Sequence, residues 1–349
     1  GTSSENERLG YTILRWEDSN ATGYNHMIDN PAEIIKNLVE TEISPATTFD
    51  IDKYQKAYLS DTELYQAFSI NEKVNSKEII ENICNQSRLF FRYRPRDGSG
   101  IIEAIKDFYN ANDVDMVVDV DRMLKFSFNK TKLEDLCFGG CRVKYGYDYA
   151  KEEMTEITLD RTLDPGALEI YKNLYSVNAD DIENYQLEFE APYIQDEASA
   201  SRFRNYLFEL NKHQHLICKF TLDIRDGISI ETGDIINFSG DPYNTKPYGK
   251  SLTSSYNLVE QIVTPNFLVT KVSKSSTNVM VEVYQLHRLN TRMLTPTLLG
   301  DANLDGVVNS DDVELLLNYI LNPDTVTLTE QQFLNGDVNG DGSIDQFDI

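Results

Sequence analysis

The chain has 349 residues, with 57 acidic against 32 basic side chains and a formal net charge of −25. Its 40% hydrophobic content, with 16 Phe and 20 Tyr, provides cores for two or three globular domains and excludes a disordered chain. The acidity excludes general binding to nucleic acids or anionic membranes, because phosphate contacts require cations, and no apolar run is long enough to span a bilayer.

Both ends of the sequence indicate a segment of a longer polypeptide. Residue 1 is Gly, and the first ten residues have neither the basic region nor the apolar run of a secretory signal. The sequence stops at Ile349, where we expect a helix to follow. The four cysteines are Cys84, Cys137, Cys141 and Cys218. They are too few for a disulfide scaffold and their spacing defines no pairing, so they indicate neither an oxidising nor a reducing compartment.

Two capping signals predict helices near the start of the body. Residues 30–33 (NPAE) combine an N-cap, a proline at N1 and an acid at N3, and the apolar residues after them predict a helix that ends near Ile43. Residues 75–78 (NSKE) have the same spacing and predict a second helix. A strand is predicted from Leu89 to Tyr93. The sequence RDG at 96–98 follows it and is typical of a β-hairpin turn.

The rest of the body is rich in strands and has one long helix. The helix is predicted at Ala198–Lys212, and residues 243–256 are predicted as a loop that contains a PYG turn. Strands are predicted at Lys125–Asn129, Arg142–Leu159, His215–Ile224, from Gly233 to Phe238, and at Phe267–Val272 paired with Val279–Leu286.

Since strands and helices do not alternate as βαβ units, the predicted fold class is α+β with mixed helices and antiparallel sheets. We predict an α+β segment at 1–110, a β-rich segment at 111–192, a helix with a barrel-like or sandwich-like sheet at 193–295, and a small helical module at 300–349.

Short motifs follow one another in the body in a fixed order. They are PYIQDEA at 192–198, GDIINF at 233–238, KPYGK at 246–250, FLVTKV at 267–272 and VEVYQLHRL at 281–289. Upstream lie two segments, residues 30–43 and 76–98, each of which begins with a predicted helix. In this order the motifs resemble those of the hub or tip proteins of long-tailed bacteriophages, over most of residues 10–290.

This resemblance implies a structural protein of the virion at the distal end of the tail. It implies a homotrimer that closes the tail tube and connects it to fibres or receptor-binding parts, with neighbouring tail and baseplate proteins as partners. Tyrosine-rich polar surfaces are consistent with such contacts around a three-fold axis.

The composition changes abruptly at Gly300. Residues 300–349 contain nine Asp and two Glu but no Lys or Arg. The sequence GDANLDGVVNSDD at Gly300 repeats as GDVNGDGSIDQFD at Gly336, an offset of 36 residues. In each copy, oxygen-bearing side chains fall at loop positions 1, 3, 5 and 12 around a Gly at position 6, which is the spacing of a calcium loop.

The repeat therefore predicts two Ca²⁺ sites. The predicted ligands of loop one are the side chains of Asp301, Asn303, Asp305 and Asp312, the carbonyl of Val307, and Asn309 through a water molecule. Those of loop two are Asp337, Asn339, Asp341, the carbonyl of Ser343, Asp345 through water, and Asp348. Turn formation by Asp, Asn and Gly is the alternative reading of one such loop. Two copies in register favour metal binding, which we expect to be coupled to folding of the module.

An apolar run from Val313 to Leu321 follows loop one and predicts a helix that ends near Asn322. A loop followed directly by one helix, with Asp at position 12, resembles the type I dockerin repeat rather than a sensor EF-hand. In that family, partner specificity commonly rests on hydroxyl pairs at loop positions 10 and 11. Here those positions hold Ser310-Asp311 and Gln346-Phe347, and neither pair fits well.

A dockerin-like tail raises the possibility of a glycoside hydrolase, which needs two carboxylates facing one sugar. The sequence offers three close carboxylate pairs, which are typical of solvated surfaces: Asp119/Asp121, Glu188/Glu190 and Asp180/Asp181. It has a single Trp for sugar stacking. A zinc site from His213, His215, Cys137 and Cys141 is a weak alternative, since it lacks a second pair of cysteines. Since the sequence has no nucleophile elbow, phosphate loop or HExxH motif, no enzymatic activity is predicted.

The sequence thus predicts a phage tail hub or tip protein with a Ca²⁺-stabilised module. The alternative is a cellulosome-type component whose dockerin binds a cohesin. The short linker, with only TPT at 295–297, disfavours a tethered enzyme.

Overall fold

The computed structural model describes residues 15–16, 26–44, 47–60, 64–70, 74–94, 97–109, 113–258, 261–289, 300–303 and 307–322, and positions 326, 328, 332, 335–336, 338, 344 and 346. It divides into two compact units. Unit 1 comprises Gly1–Lys106, Gly140–Thr162 and Gln186–Phe208, and unit 2 comprises Asp107–Gly139, Leu163–Tyr185 and Glu209–Ile349. The chain passes between the units several times, so neither unit is one continuous segment. The mixture of helices and largely antiparallel sheets confirms the predicted α+β class.

Three helices and a hairpin make up the first part of unit 1. The helices are α1 (Pro31–Leu38), α2 (Ile51–Ser60) and α3 (Ser76–Asn85). The strands are the two-residue pair β1 (Arg15–Trp16) and β2 (His26–Met27), and the hairpin of β3 (Leu89–Tyr93) with β4 (Gly100–Ala104).

The predicted caps form as expected. The Asn30 side chain accepts the backbone N–H groups of Ala32 and Glu33, and Asn75 accepts that of Lys77. The helix from Asn30 does continue to Ile43, but its last five residues, Val39–Ile43, form a π-helical turn. Apolar faces of α1 and α3 pack with β3 and β4 into one core, to which Ile35, Ile83 and Ile102 contribute fully buried side chains. Helix α2 was not predicted, although Asp50 precedes it and accepts the N–H of Lys53 on its side chain at 3.2 Å.

A three-stranded sheet completes unit 1. Its central strand is β7 (Gly140–Asp148), flanked by β8 (Glu153–Ile157) on one side and β9 (Gln186–Glu190) on the other. The prediction of one strand over Arg142–Leu159 was wrong. The chain reverses at 149–152, where the Asp148 carboxylate accepts the N–H of Ala150 and Glu152 adopts a positive φ of 57°. The long helix α5 (Glu197–Asn211) follows β9 and confirms the helix predicted at 198–212.

Unit 2 is built on a seven-stranded sheet. Six strands lie in the order β5-β11-β13-β14-β10-β6, and β12 pairs with β13. Their bounds are β5 Met116–Val118, β6 Lys125–Lys130, β10 Leu216–Asp223, β11 Ile235–Phe238, β12 Tyr256–Asn257, β13 Ile262–Lys274 and β14 Asn278–His287. The predicted pairing of residues 267–272 with 279–286 is confirmed within the longer β13–β14 hairpin.

The sheet of unit 2 is strongly curled. Phe126 on edge strand β6 and Phe238 on β11 lie four strands apart in the sheet, about 19 Å in a flat sheet. Their ring centroids are nevertheless only 6.2 Å apart. The two edge strands β5 and β6 are consecutive in the chain. Inward-facing apolar residues fill the curled sheet, including Phe220, Phe267 and Val281.

Three further helices belong to unit 2. They are α4 (Pro165–Tyr175), which the Asp164 side chain caps, the short α6 (Ile224–Gly227), and α7 (Ser310–Leu321) in the acidic module. Helix α7 confirms the helix predicted after loop one. Among the described residues, no helix is long and apolar enough to cross a bilayer.

Candidate metal centre

Loop one of the acidic module places two of its predicted carboxylates in buried positions. Asp301 is 3% exposed and Asp312 is 1% exposed. Asn303 is half-buried, whereas Val307 and Asn309 are exposed. Asp305, the third carboxylate predicted for this loop, lies outside the described residues. Among the described residues, no three His, Cys, Asp or Glu side chains form a metal-binding group.

The Asp312 carboxylate fastens the loop to the start of α7. One oxygen accepts the backbone N–H of Asn303 at 2.9 Å, and the other accepts the N–H of Asn309 at 2.9 Å. The Asn309 side chain in turn accepts the N–H of Asp311 at 2.6 Å. Its reciprocal contact with Asp312 at N3 forms a capping box. Asp312 therefore holds both halves of loop one in place and also caps the helix. The sequence analysis treated Asn309 only as a water-mediated ligand and missed its role as N-cap.

The starts of the two repeats lie side by side. The Gly300 N–H donates to the Asn335 carbonyl at 2.6 Å, and the Asn335 side chain donates to the Asp301 carbonyl at 2.8 Å. Gly300 has a φ of +92°, and a Cβ there would lie 2.9 Å from Val308. Asn335 is fully buried. This contact across more than thirty residues positions Asp301, and the sequence analysis did not single out Asn335.

The predicted ligands of loop two fall outside the described residues. They are Asp337, Asn339, Asp341, Ser343, Asp345 and Asp348, and their role stays a prediction. What the structure does describe is the Gly before this loop. A Cβ on Gly336 would lie 2.8 Å from Leu316 of α7 and 3.1 Å from Ile344. The second repeat therefore packs closely against the helix of the first.

The residues of loop one fit a hard cation. Each oxygen of an ionised carboxylate has two lone pairs, so Asp312 can accept its two N–H bonds and still bind a metal ion. The segment has no Lys or Arg, so none of its own side chains can neutralise two buried carboxylates. Carboxylate and amide oxygens are the ligands that Ca²⁺ takes in proteins.

The zinc alternative does not match the arrangement of the histidines. In unit 2, His213 Nε2 lies 2.6 Å from the Tyr171 hydroxyl and its Nδ1 lies 3.2 Å from the Tyr175 hydroxyl. The His215 ring nitrogens lie 2.8 Å and 2.6 Å from backbone carbonyl oxygens of Gln285 and Leu210. Each of these nitrogens is thus within hydrogen-bonding distance of an oxygen. The four cysteines, all within the described residues, form no disulfide.

The imidazoles of this cluster are deeply buried. His215 stacks on His287 with ring centroids 3.9 Å apart. Burial lowers the pKa of His215, an effect that its two carbonyl contacts oppose. Burial lowers the pKa of His287 well below its usual value, and His215, His213 and Lys212 add to that effect. Burial thus favours the neutral form of both rings.

Three of the carboxylates considered for glycoside hydrolysis form ion pairs, namely Asp119, Glu188 and Glu190. The hydrogen bond from Lys144 and the positive charges of Lys144 and Arg142 lower the pKa of Glu188. Asp119 caps a short helical turn and contacts Arg122 at 3.3 Å. Such exposed, ion-paired carboxylates do not form the facing pair that the reaction requires.

Comparison with known proteins gives two findings. Residues 299–349 match the dockerin type I domain, which is the family resemblance noted in the sequence. No curated protein matches the chain.

Solved structures to which the chain is similar include tail proteins, two of them from prophages. They include prophage tail protein gp18 from Listeria monocytogenes EGD-e, with 11% identity and a TM-score of 0.39 over 72% of this chain and 64% of that one. The 43 kDa tail protein of prophage MuSo2 from Shewanella oneidensis has 9% identity and a TM-score of 0.40, with 73% and 66% covered. A tail protein from Neisseria meningitidis MC58 has 9% identity and a TM-score of 0.37, with 74% and 69% covered. The chain thus spans less than two thirds of the length of the first two.

Proposed function

We propose that the chain is a structural protein of a phage tail that carries a Ca²⁺-stabilised dockerin module. One observation carries this proposal. The motifs that resemble tail hub proteins in sequence, at 233–238, 267–272 and 281–289, form β11, β13 and β14, three adjacent strands of one curled sheet. Three of the motifs that carry the resemblance therefore lie in strands that build the core of unit 2.

The finer proposal is a baseplate hub or tail tip protein in the virion, at the distal end of the tail. There it forms a homotrimer, closes the tail tube and contacts neighbouring tail proteins and fibres. The body keeps these subunits in register, and no catalytic step is assigned to it. Support comes from the order of the sequence motifs and from the ion pairs that Asp119, Glu188 and Glu190 form.

Light scattering on the purified full chain, with Ca²⁺ and with a chelator, tests the assembly. We expect a particle of three times the 39.9 kDa protomer mass. A monomer at every concentration tested, in both conditions, would contradict the homotrimer.

The module at 300–349 is proposed to bind Ca²⁺ through Asp301, Asn303, Asp305 and Asp312 of loop one, with the Val307 carbonyl and Asn309 completing the set. Loop two binds through Asp337, Asn339, Asp341, Ser343, Asp345 and Asp348. A bound Ca²⁺ neutralises the carboxylates, so the chain's own residues can hold the two repeats together around Asn335. The folded module stiffens the connection to whatever lies next to it in the tail. Calorimetric titration of the full chain with Ca²⁺ measures the number of sites.

A second candidate function is binding of a cohesin by the dockerin module. The observation that favours it is the outer face of α7, where Leu317 is 43% exposed and Leu321 is 72% exposed. Apolar side chains on an exposed helix are typical of a docking face. A binding assay with a purified type I cohesin and the Ca²⁺-loaded chain tests it. Tight binding by a monomeric chain would favour this function over the tail assembly.

A further inference from the structure

Strand β6 leaves one long edge of the unit 2 sheet open. Among the described strands, only β10 pairs with it. Five of its six residues are exposed, which is unusual for a strand of a packed sheet. Two large apolar side chains are exposed here, since Leu124, just before the strand, is 55% exposed and Phe128 is 36% exposed. An open strand edge with exposed apolar residues is a template for pairing with another strand.

This edge is also positively charged in a strongly acidic protein. Lys125, Lys130 and Lys132 are all exposed and, within the described residues, none of them forms an ion pair. The Lys130 ammonium lies 3.7 Å from the centroid of the Tyr248 ring. A strand that complements this edge must therefore bring carboxylates as well as apolar side chains.

Strand β8 of unit 1 offers that combination. It is an edge strand of its sheet, and the residues on its solvent side include Ile157, 49% exposed, and Leu159, 82% exposed. Glu153, Glu156 and Asp160 are exposed and form no ion pair within the described part of the chain. The opposite edge, β9, differs, because Glu188 and Glu190 are neutralised by Arg142 and Lys144.

We propose that β6 of one copy of the chain pairs with β8 of a second copy. The antiparallel register that matches both patterns places Phe128 opposite Ile157 and Phe126 opposite Leu159. The same register places Lys132 opposite Glu153 and Lys125 opposite Asp160. Opposite residues in an antiparallel pair share a face, so each apolar or charged pair is in contact.

The charges on β6 and β8 also favour one kind of contact between copies of the chain. Pairing of β6 with β6 would place lysines against lysines, and pairing of β8 with β8 would place carboxylates against carboxylates. The pairing of β6 with β8 is heterologous, and heterologous contacts form a ring when the rotation between copies closes. This inference rests on the homo-oligomer of the proposed function and names the surfaces that build it.

Disulfide trapping tests the contact directly. Phe128→Cys chains and Ile157→Cys chains are mixed, oxidised and examined on a non-reducing gel. We expect a covalent dimer in the mixture and only monomers when either variant is oxidised alone, because the native cysteines are buried or half-buried. Cross-linking within each single variant, or none in the mixture, overturns the pairing.

Charge reversal tests it in solution. Lys132→Glu and Glu153→Lys alone each replace an attraction by a repulsion, so we expect about tenfold weaker association. The chain that carries both changes restores the pair at every interface and should assemble as the wild type does. Lys77→Glu on α3, where the Lys77 side chain is 78% exposed, is the matched control and should have no effect.

The outcomes separate this inference from the proposed function. If the chain forms trimers that neither single reversal weakens, the β6–β8 contact is wrong and the homotrimer stands. If the wild-type chain is monomeric at every concentration, both are wrong.

Discussion

Asp312 is expected to be the residue on which the acidic module depends most. Its buried carboxylate accepts two backbone N–H groups at 2.9 Å and is also the predicted position-12 ligand of loop one. Hydrogen bonds to an ionised group contribute roughly 1.5–3 kcal/mol each. Asp312→Ala removes both and leaves two donors poorly solvated, so we expect the free energy of unfolding of the module to fall by about 3–5 kcal/mol.

Asp312→Asn separates the two roles of this side chain. The amide keeps one acceptor oxygen, so it preserves one of the two backbone bonds and costs about 2 kcal/mol. It removes the negative charge, and because ligand charge sets the affinity of such loops, we expect at least about tenfold weaker Ca²⁺ binding. Asp311→Ala is the matched control. Asp311 is exposed, and its loss from the first turn of α7 should cost less than about 1 kcal/mol.

The assays are calorimetric titration with Ca²⁺ and protection from a Glu-specific protease, both on the full chain. Trypsin cannot report on this segment, because residues 300–349 contain no Lys or Arg. Glu314 lies within α7, so cleavage there requires the helix to open. Equal Ca²⁺ affinity of the wild type and Asp312→Asn, or a larger loss in Asp311→Ala than in Asp312→Ala, would refute this reasoning.

Three further predictions follow from the structure. Chelation should open residues 300–349 to the Glu-specific protease while circular dichroism of the body stays unchanged, and a module that is equally protected without Ca²⁺ would contradict the ligand assignment. Since burial lowers the pKa values of His215 and His287, the unfolded state takes up protons first as the pH falls below about 6.5. Stability of unit 2 is then fully present above that pH and declines below it by up to about 1.4 kcal/mol per His and pH unit, which urea unfolding between pH 8 and pH 5 measures. Gly336→Ala should destabilise the module by about 1–3 kcal/mol, because its Cβ would lie 2.8 Å from Leu316, and thermal unfolding followed by proteolysis checks this.

Structural signals that act within a few residues, such as helix caps, could be recognised in the sequence. The caps at Asn30 and Asn75 satisfy N–H groups two or three positions away, so the helices that they begin were predicted correctly. The β13–β14 hairpin was also predicted correctly, because alternating apolar residues flank a short polar turn. The repeat at Gly300 and Gly336 identified the dockerin type I module, which the match over 299–349 confirms.

Two elements with weaker local signals were missed. The turn at 149–152 contains neither Gly nor Pro, so β7 and β8 were read as one strand, although the Asp148 carboxylate accepts the N–H of Ala150 and the strand pairing completes the reversal. Helix α2 begins after Asp50, whose side chain accepts the N–H of Lys53 at 3.2 Å, but no Pro at N1 or acid at N3 strengthens that single cap signal. Strand pairing and packing between segments distant in sequence add what these weak signals leave undefined.

The sequence by itself determined the fold class and the main capped helices, and it predicted the Ca²⁺ ligands of the acidic loops, because spacing decides which oxygens can share a cation. Only the tertiary structure showed that Asn335 joins the starts of the two repeats and that Asp312 also caps α7. It alone showed that β6 and β8 are open edges with opposite charge. Whether a strand is central or at an edge is decided by hydrogen bonds between segments far apart in the chain, and no local pattern of side chains encodes that choice.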